Sequence, residues 1–169
     1  MSRPEGIANV REGGIPDPAG WEDPVSGLLG PDFWRRLLTS EVARSFRYRR
    51  PLTVVLLDLE GIDELQRTWG ADLALQTIHE AAQCVRHMAR NSDQCARIGL
   101  ARFGILLTET DEVAAINFVE RVREAGPRSL PRIAGQVRFR FGWASPVPGE
   151  AAEAVTRRAV SRMATDPAD

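Results

Sequence analysis

Arg90 and Asp93 lie three residues apart where a helix-like pattern gives way to a strand-like run, so both side chains can address one side of the chain. An arginine fork can donate twice to O6 and N7 of a guanine, and a nearby carboxylate can accept from the N–H groups of such a base. In an arginine-rich chain the same spacing also describes a surface ion pair, worth less than about 1 kcal/mol. His79 and His87, with Cys84 between them, suggest a metal site at first sight. Zinc helices favour closer pairs such as i, i+4, and no carboxylate or second cysteine group completes the shell, so these residues read as solvated helix positions.

Elements that could position such groups need a core, and 169 residues with 43% hydrophobic content are enough for one globular domain. The formal net charge of −1 gives no polyelectrolyte signal, which argues against nucleic acid and membrane surfaces as partners. All the basic residues are arginine. No apolar run reaches membrane-spanning length and no signal-peptide core is present, so a cytoplasmic location is expected. Cys84 and Cys95 make no disulfide framework and read as buried, reduced thiols.

Residues 1–22, rich in Gly, Pro and charge, are expected to form a flexible leader, and 165–169 a fraying tail. Between them, 32–48 carries Phe33, Leu37, Leu38 and Val42 at helical spacing, and Pro51 stops the helix. Residues 52–59 form a continuous β-branched and apolar run, the pattern of a strand covered on both faces. Helix follows over 61–88 in two pieces broken near Gly70, then two short strands over 94–98 and 103–107 joined by a turn at Gly99. A helix over 111–124 has an acidic first turn and Arg121 and Arg123 near its end, the polarity the helix dipole favours. Residues 136–143 alternate Val137, Phe139 and Phe141 with Arg138 and Arg140, predicting one dry and one wet face, and 150–163 closes with a helix. The order β-α-β-β-α-β predicts an α+β, ferredoxin-like fold with a central antiparallel sheet flanked by helices.

Several segments, in order, resemble the GGDEF (diguanylate cyclase) family. Asp23-Pro24-Val25-Ser26-Gly27-Leu28 resembles the family's opening Asp-x-Leu-Thr-Gly-Leu, Arg49-Arg50-Pro51 precedes the first strand, and Phe141-Gly142-Trp143-Ala144 is similar to its late strand. At the hairpin for which the family is named, Gly99-Leu100-Ala101-Arg102-Phe103 keeps only the first glycine and the phenylalanine. The resemblance covers 23–164 and implies a degenerate domain of the nucleotidyl cyclase-like fold.

In active members two metal ions are held by an aspartate at the end of the first strand, matched by Asp58, and by an acid in the hairpin turn. Ala101 stands at the turn acid and Arg102 at the next position, which removes a ligand that Mg²⁺ requires and adds a positive charge. The family's guanine-reading Asn and Asp are replaced by Gln66 and Arg67, and its Gly-His-x-x-Gly-Asp pattern by Gly70-Ala71-Asp72-Leu73-Ala74-Leu75. Because phosphoryl transfer needs all these parts together, the resemblance implies no cyclase activity and no metal cofactor.

Arg90-Asn91-Ser92-Asp93 stands where the family has the RxxD motif of its inhibitory product-binding site, and Arg121 falls at the place of a further arginine there. The resemblance thus implies a receptor for cyclic di-GMP that uses Arg90, Asp93 and Arg121, signals to a protein partner and forms a ligand-bridged homodimer. The rival reading is a ligand-independent adaptor or dimerisation module; residual nucleotide binding at Asp58 is a third.

Overall fold

The apolar run after Pro51 becomes the central strand of the sheet. In a computed structural model, which describes residues 14–167, β1 (Leu52–Glu60) is buried along almost its whole length. It pairs antiparallel with β3 (Arg102–Thr108) on one side and β4 (Arg138–Ala144) on the other. β2 (Gln94–Gly99) joins β3, giving the order β2-β3-β1-β4 with every pairing antiparallel. Alternation divides β1 between two cores. Val55, Leu57 and Leu59 pack under α2 (Ile62–Trp69), α3 (Ala71–Met88) and α4 (Glu112–Ser129). Leu52, Val54 and Leu56 pack against α1 (Pro31–Tyr48) and α5 (Ala152–Met163). This is the α+β, ferredoxin-like arrangement expected from the order of elements.

Two glycines permit the close approach of the second layer. A Cβ on Gly104 would lie 2.6 Å from the Trp34 ring, and one on Gly142 would lie 1.9 Å from the Ala159 carbonyl oxygen. Trp34 is therefore core rather than surface, whereas Trp69 is exposed. The approach at Gly142 also covers much of the face of β4 that alternation predicted to be wet. Arg138 is exposed and Arg140 half-buried, but Ala144 is buried in the α1–α5 core.

The ends of the elements depart from the pattern in three places. α4 continues past Glu124 to Ser129 with Pro127 in its last turn. Packing overrides the proline here, because Val122 and Gly126 are buried and a Cβ on Gly126 would lie 2.5 Å from the Phe139 ring. Of the leader expected over 1–22, the part from residue 14 onward packs against the domain. The leader's first 13 residues lie outside the described residues, but Ile15 is buried in the core and Gly30 N–H bonds the Trp21 carbonyl at 2.8 Å. The expected tail is likewise docked through Asp166, whose carboxylate accepts from the Phe141 N–H (2.8 Å) and pairs with Arg123 (2.8 Å). Among the described residues, no helix is long and apolar enough to cross a membrane.

Candidate functional site

Arg97 anchors the hairpin from inside. It is fully buried on β2, and every nitrogen of its guanidinium has an oxygen partner. Nε and Nη2 donate to the Leu100 carbonyl at 3.1 and 2.7 Å, Nη1 to Asp23 Oδ1 at 3.0 Å, and Nη2 to the Pro16 carbonyl at 2.8 Å. Burial pushes the Arg97 pKa down while Asp23 pushes it back up. The other Asp23 oxygen accepts from the Ser26 N–H (2.8 Å) and hydroxyl (2.6 Å), so the segment before α1 and the turn after β2 form one unit. Sequence reading passed over Arg97. Its signal is a lone cation among Cys95, Ala96 and Ile98 on a strand, a placement that requires a buried partner.

The turn closes one side of a cleft of about 670 Å³ at the C-terminal end of β1, lined by Asp58, Glu60, Gly99, Ala101, Arg102 and Arg140. Strand register sets Asp58 opposite Arg102 on β3 and opposite Arg140 on β4. Arg102 takes both oxygens of Asp58, Nε to Oδ1 and Nη2 to Oδ2, each at 2.6 Å. These hydrogen bonds raise the Arg102 pKa. Arg140 lies 3.7 Å from Glu60 and donates to the Met163 carbonyl at 3.2 Å. A divalent cation does not fit this donor set. Mg²⁺ takes an octahedral shell of hard oxygen ligands anchored by one or two free carboxylates, and here the strand aspartate is held by a guanidinium through both oxygens while a second cation stands on the next strand. Gln66 is half-buried and Arg67 exposed on α2, and neither lines the cleft.

At the opposite end of β1, Asp93 and Arg90 share a turn but not a direction. Asp93 is 4% exposed; its Oδ2 accepts from the Arg90 N–H (2.8 Å) and its Oδ1 from the Thr108 N–H (3.2 Å). The carboxylate thus clips the exit of α3 to the end of β3. The Arg90 guanidinium points elsewhere, into a groove of about 410 Å³ on the α1 side, and has no hydrogen bond or ion pair among the described residues. Arg121, on α4 and so on the other face of the sheet, donates to the Met88 carbonyl at 3.2 Å with its guanidinium 5.9 Å from the Phe118 ring centroid. The structure brings all three residues to one end of the molecule, yet Arg90 and Arg121 line no common cavity.

His79 Nδ1 lies 3.1 Å from the Val25 carbonyl oxygen, and burial pushes the Cys84 thiol pKa up. Among the described residues, no three His, Cys, Asp or Glu side chains converge on a metal-sized space.

Comparison with known proteins places this arrangement. The family described as "Diguanylate cyclase, GGDEF domain" matches residues 21–165. Diguanylate cyclase DosC of Escherichia coli K12 is 30% identical over 101 residues, which is 60% of this chain and 22% of DosC. The chain thus spans about a fifth of the length of that relative. Among solved structures, diguanylate cyclase SiaD of Pseudomonas aeruginosa, in complex with its activator SiaC, is 27% identical with a TM-score of 0.79, covering 87% of this chain and 58% of SiaD. The GGDEF domain of DgcB from Caulobacter crescentus, in complex with c-di-GMP, gives a TM-score of 0.80 over 87% of this chain and 90% of DgcB; at 19% identity the likeness is one of fold.

Proposed function

Since this chain belongs to the GGDEF family, we propose that it is a member without cyclase activity or metal cofactor, which receives cyclic di-GMP at the turn of Arg90 and Asp93 and passes the signal to a protein partner. The observation that carries the first half is the bidentate hold of Arg102 on Asp58. A guanidinium at that place satisfies both oxygens of the metal-binding aspartate, and no turn acid remains to supply another ligand. Positioning and charge neutralisation by metal are most of what a protein contributes to phosphoryl transfer, so their loss removes the reaction rather than slowing it.

The receptor half rests on the exposed Arg90 guanidinium, which has no partner among the described residues, and on Arg121 flanking the same turn. Planar forks of this kind suit the phosphates and the guanine O6/N7 edges of a cyclic dinucleotide. DgcB, which has the same fold, was solved with that ligand, so it is the first to test. A ligand held between two copies at this end would also produce the ligand-bridged homodimer. Calorimetry with cyclic di-GMP tests the proposal: micromolar binding by the wild type, lost in Arg90→Ala, is expected. The cyclase half is tested by incubating the protein with GTP and Mg²⁺, and detectable cyclic di-GMP would refute it.

One observation favours the rival reading of a ligand-independent adaptor. Asp93 spends both oxygens on backbone N–H groups and is nearly inaccessible, so it serves the fold whether or not a base is present. In that case cyclic di-GMP gives no heat, and the protein still forms its complex with a partner.

A further inference from the structure

Charge is divided between the two faces of the sheet. Residues 31–50, which make up α1 and its exit, carry six arginines against two acids, and all six arginines are exposed. Residues 60–80, from the end of β1 through α2 into α3, carry five acids against one arginine, Arg67. α1 packs on one face of the sheet and α2 and α3 on the other, so the two groups cannot meet within one molecule. Part of each group is already matched. Arg35 pairs with Asp32, Arg44 with Glu41 and Arg50 with Glu109, while Glu60 lies 3.7 Å from Arg140. Arg36, Arg47 and Arg49 on one side, and Asp63, Glu64, Asp72 and Glu80 on the other, form no ion pair among the described residues.

Arg36, Ser40, Ala43 and Arg47 follow one another along a single exposed stripe of α1, at steps of three and four residues. The small side chains between the two guanidiniums leave room for a neighbouring helix to lie close. On α3, Asp72, Gln76 and Glu80 make a stripe with acids at both ends. Aromatic rings flank both stripes. Tyr48 at the end of α1 and Trp69 at the end of α2 are each more than half exposed, as is Trp21, whose ring centroid is 5.2 Å from the Arg36 guanidinium.

We infer that the α1 face of one molecule docks on the α2–α3 face of a second copy of this chain, head to tail, with Arg36 and Arg47 opposite Asp72 and Glu80 and with Tyr48 and Trp69 as anchors. Charge complementarity selects the occupant, since the chain itself carries the matching surface. A polyanionic lipid surface would attract α1 and repel α2 and α3, and a net charge of −1 gives it no overall pull. Opposite charges across an interface steer encounter and fix register, and aromatic rings supply much of the energy once they are buried. Because the two surfaces are different patches, the contact is heterologous, and each molecule in a pair keeps one face free for the next. Association therefore continues beyond a pair, unlike a dimer bridged by ligand at the Arg90 turn. Arg36, Arg47, Asp72 and Glu80 line neither the Arg90 groove nor the cleft beside Asp58, so the inference stands apart from the receptor reading.

Sedimentation equilibrium of the whole chain without nucleotide tests it, with melting curves of every variant as a folding control. At about 10 mM salt, where charges act over about 30 Å, the average mass should climb past that of two molecules as concentration rises; at about 1 M salt, where the range is about 3 Å, it should fall to that of one. R36Q/R47Q and D72N/E80Q should each weaken association at least tenfold, and W69A severalfold. Mixed in equal amounts, the two double variants should form a complex of two chains and no larger, because only one intact contact is left to each pair. A wild type that stays monomeric, a mass that levels off at a dimer, or association untouched by salt or by either double variant would overturn the inference. A monomer that sediments with phosphatidylserine vesicles, and loses this in R36Q/R47Q, would assign the α1 face to lipid instead.

Discussion

The two ends of β1 carry similar charged residues and use them in opposite ways. At the cleft end, Asp58 meets Arg102 and Glu60 meets Arg140, so the side chains that face the space are matched with one another. At the other end the carboxylate of Asp93 is turned inward on the backbone, and the Arg90 guanidinium is left facing an open groove. Charge that is matched within the protein lends rigidity and offers little to a ligand, while an unmatched cation is held ready for an anion. The same residue types thus act as a strut at one end of a strand and stand open to a ligand at the other.

The largest expected effect tests how strongly the cleft end is braced. Arg97→Met removes a fully buried cation and strands Asp23, which should destabilise the domain by about 3–5 kcal/mol; equilibrium urea unfolding measures it, and a loss under 1 kcal/mol would mean that water already shares that pair. Next comes the clip at the turn. Asp93→Ala leaves two N–H groups without their acceptor and should cost about 1–3 kcal/mol in the same measurement, so any loss of ligand binding in this variant must be read against its lower stability.

Arg102→Ala separates the strut from the active-site reading. Because both partners are about a third exposed, the loss of stability should be no more than about 1 kcal/mol. Product formation from GTP should stay absent, as the turn acid is still missing. A Mg²⁺-dependent rise in melting temperature that appears only in this variant would show that the guanidinium alone keeps metal out. The smallest effect on stability is expected at the unmatched end: Arg90→Ala should shift it by no more than about 0.5 kcal/mol while abolishing cyclic di-GMP binding. If this variant instead melts as early as Asp93→Ala, the two ends differ less than their geometry implies.

Periodicity made the order of elements legible because each face of β1 must bury every second residue, and the helices follow from where those faces lead. The loss of the turn acid was equally legible, since Ala101 has no group that can ligate. What Arg102 does could not be read from spacing. Its partner is 44 positions away and is fixed by strand register, which a sequence specifies only through the whole sheet. The i, i+3 pattern of Arg90 and Asp93 suggested a common direction, but a short carboxylate at a helix exit is drawn to unpaired backbone N–H groups, and a long guanidinium is not. Arg97 was hidden because a strand arginine is usually solvated, and only the return of the 15–28 segment over the hairpin buries this one. The continuation of α4 through Pro127 shows packing against Phe139 prevailing over a local stop signal.

Both borders of the sheet take backbone hydrogen bonds from short pieces of chain outside the β-α-β-β-α-β elements. Leu29 exchanges backbone hydrogen bonds with Cys95 and Arg97 on β2, and Asp166 accepts the outward Phe141 N–H of β4. Trimming the protein back to its regular elements would uncover the Cys95 carbonyl and Arg97 N–H on one side and the Phe141 N–H on the other, and open strand borders recruit neighbouring molecules strand to strand. The few residues on either side of the regular elements therefore keep these edge groups from a neighbouring molecule.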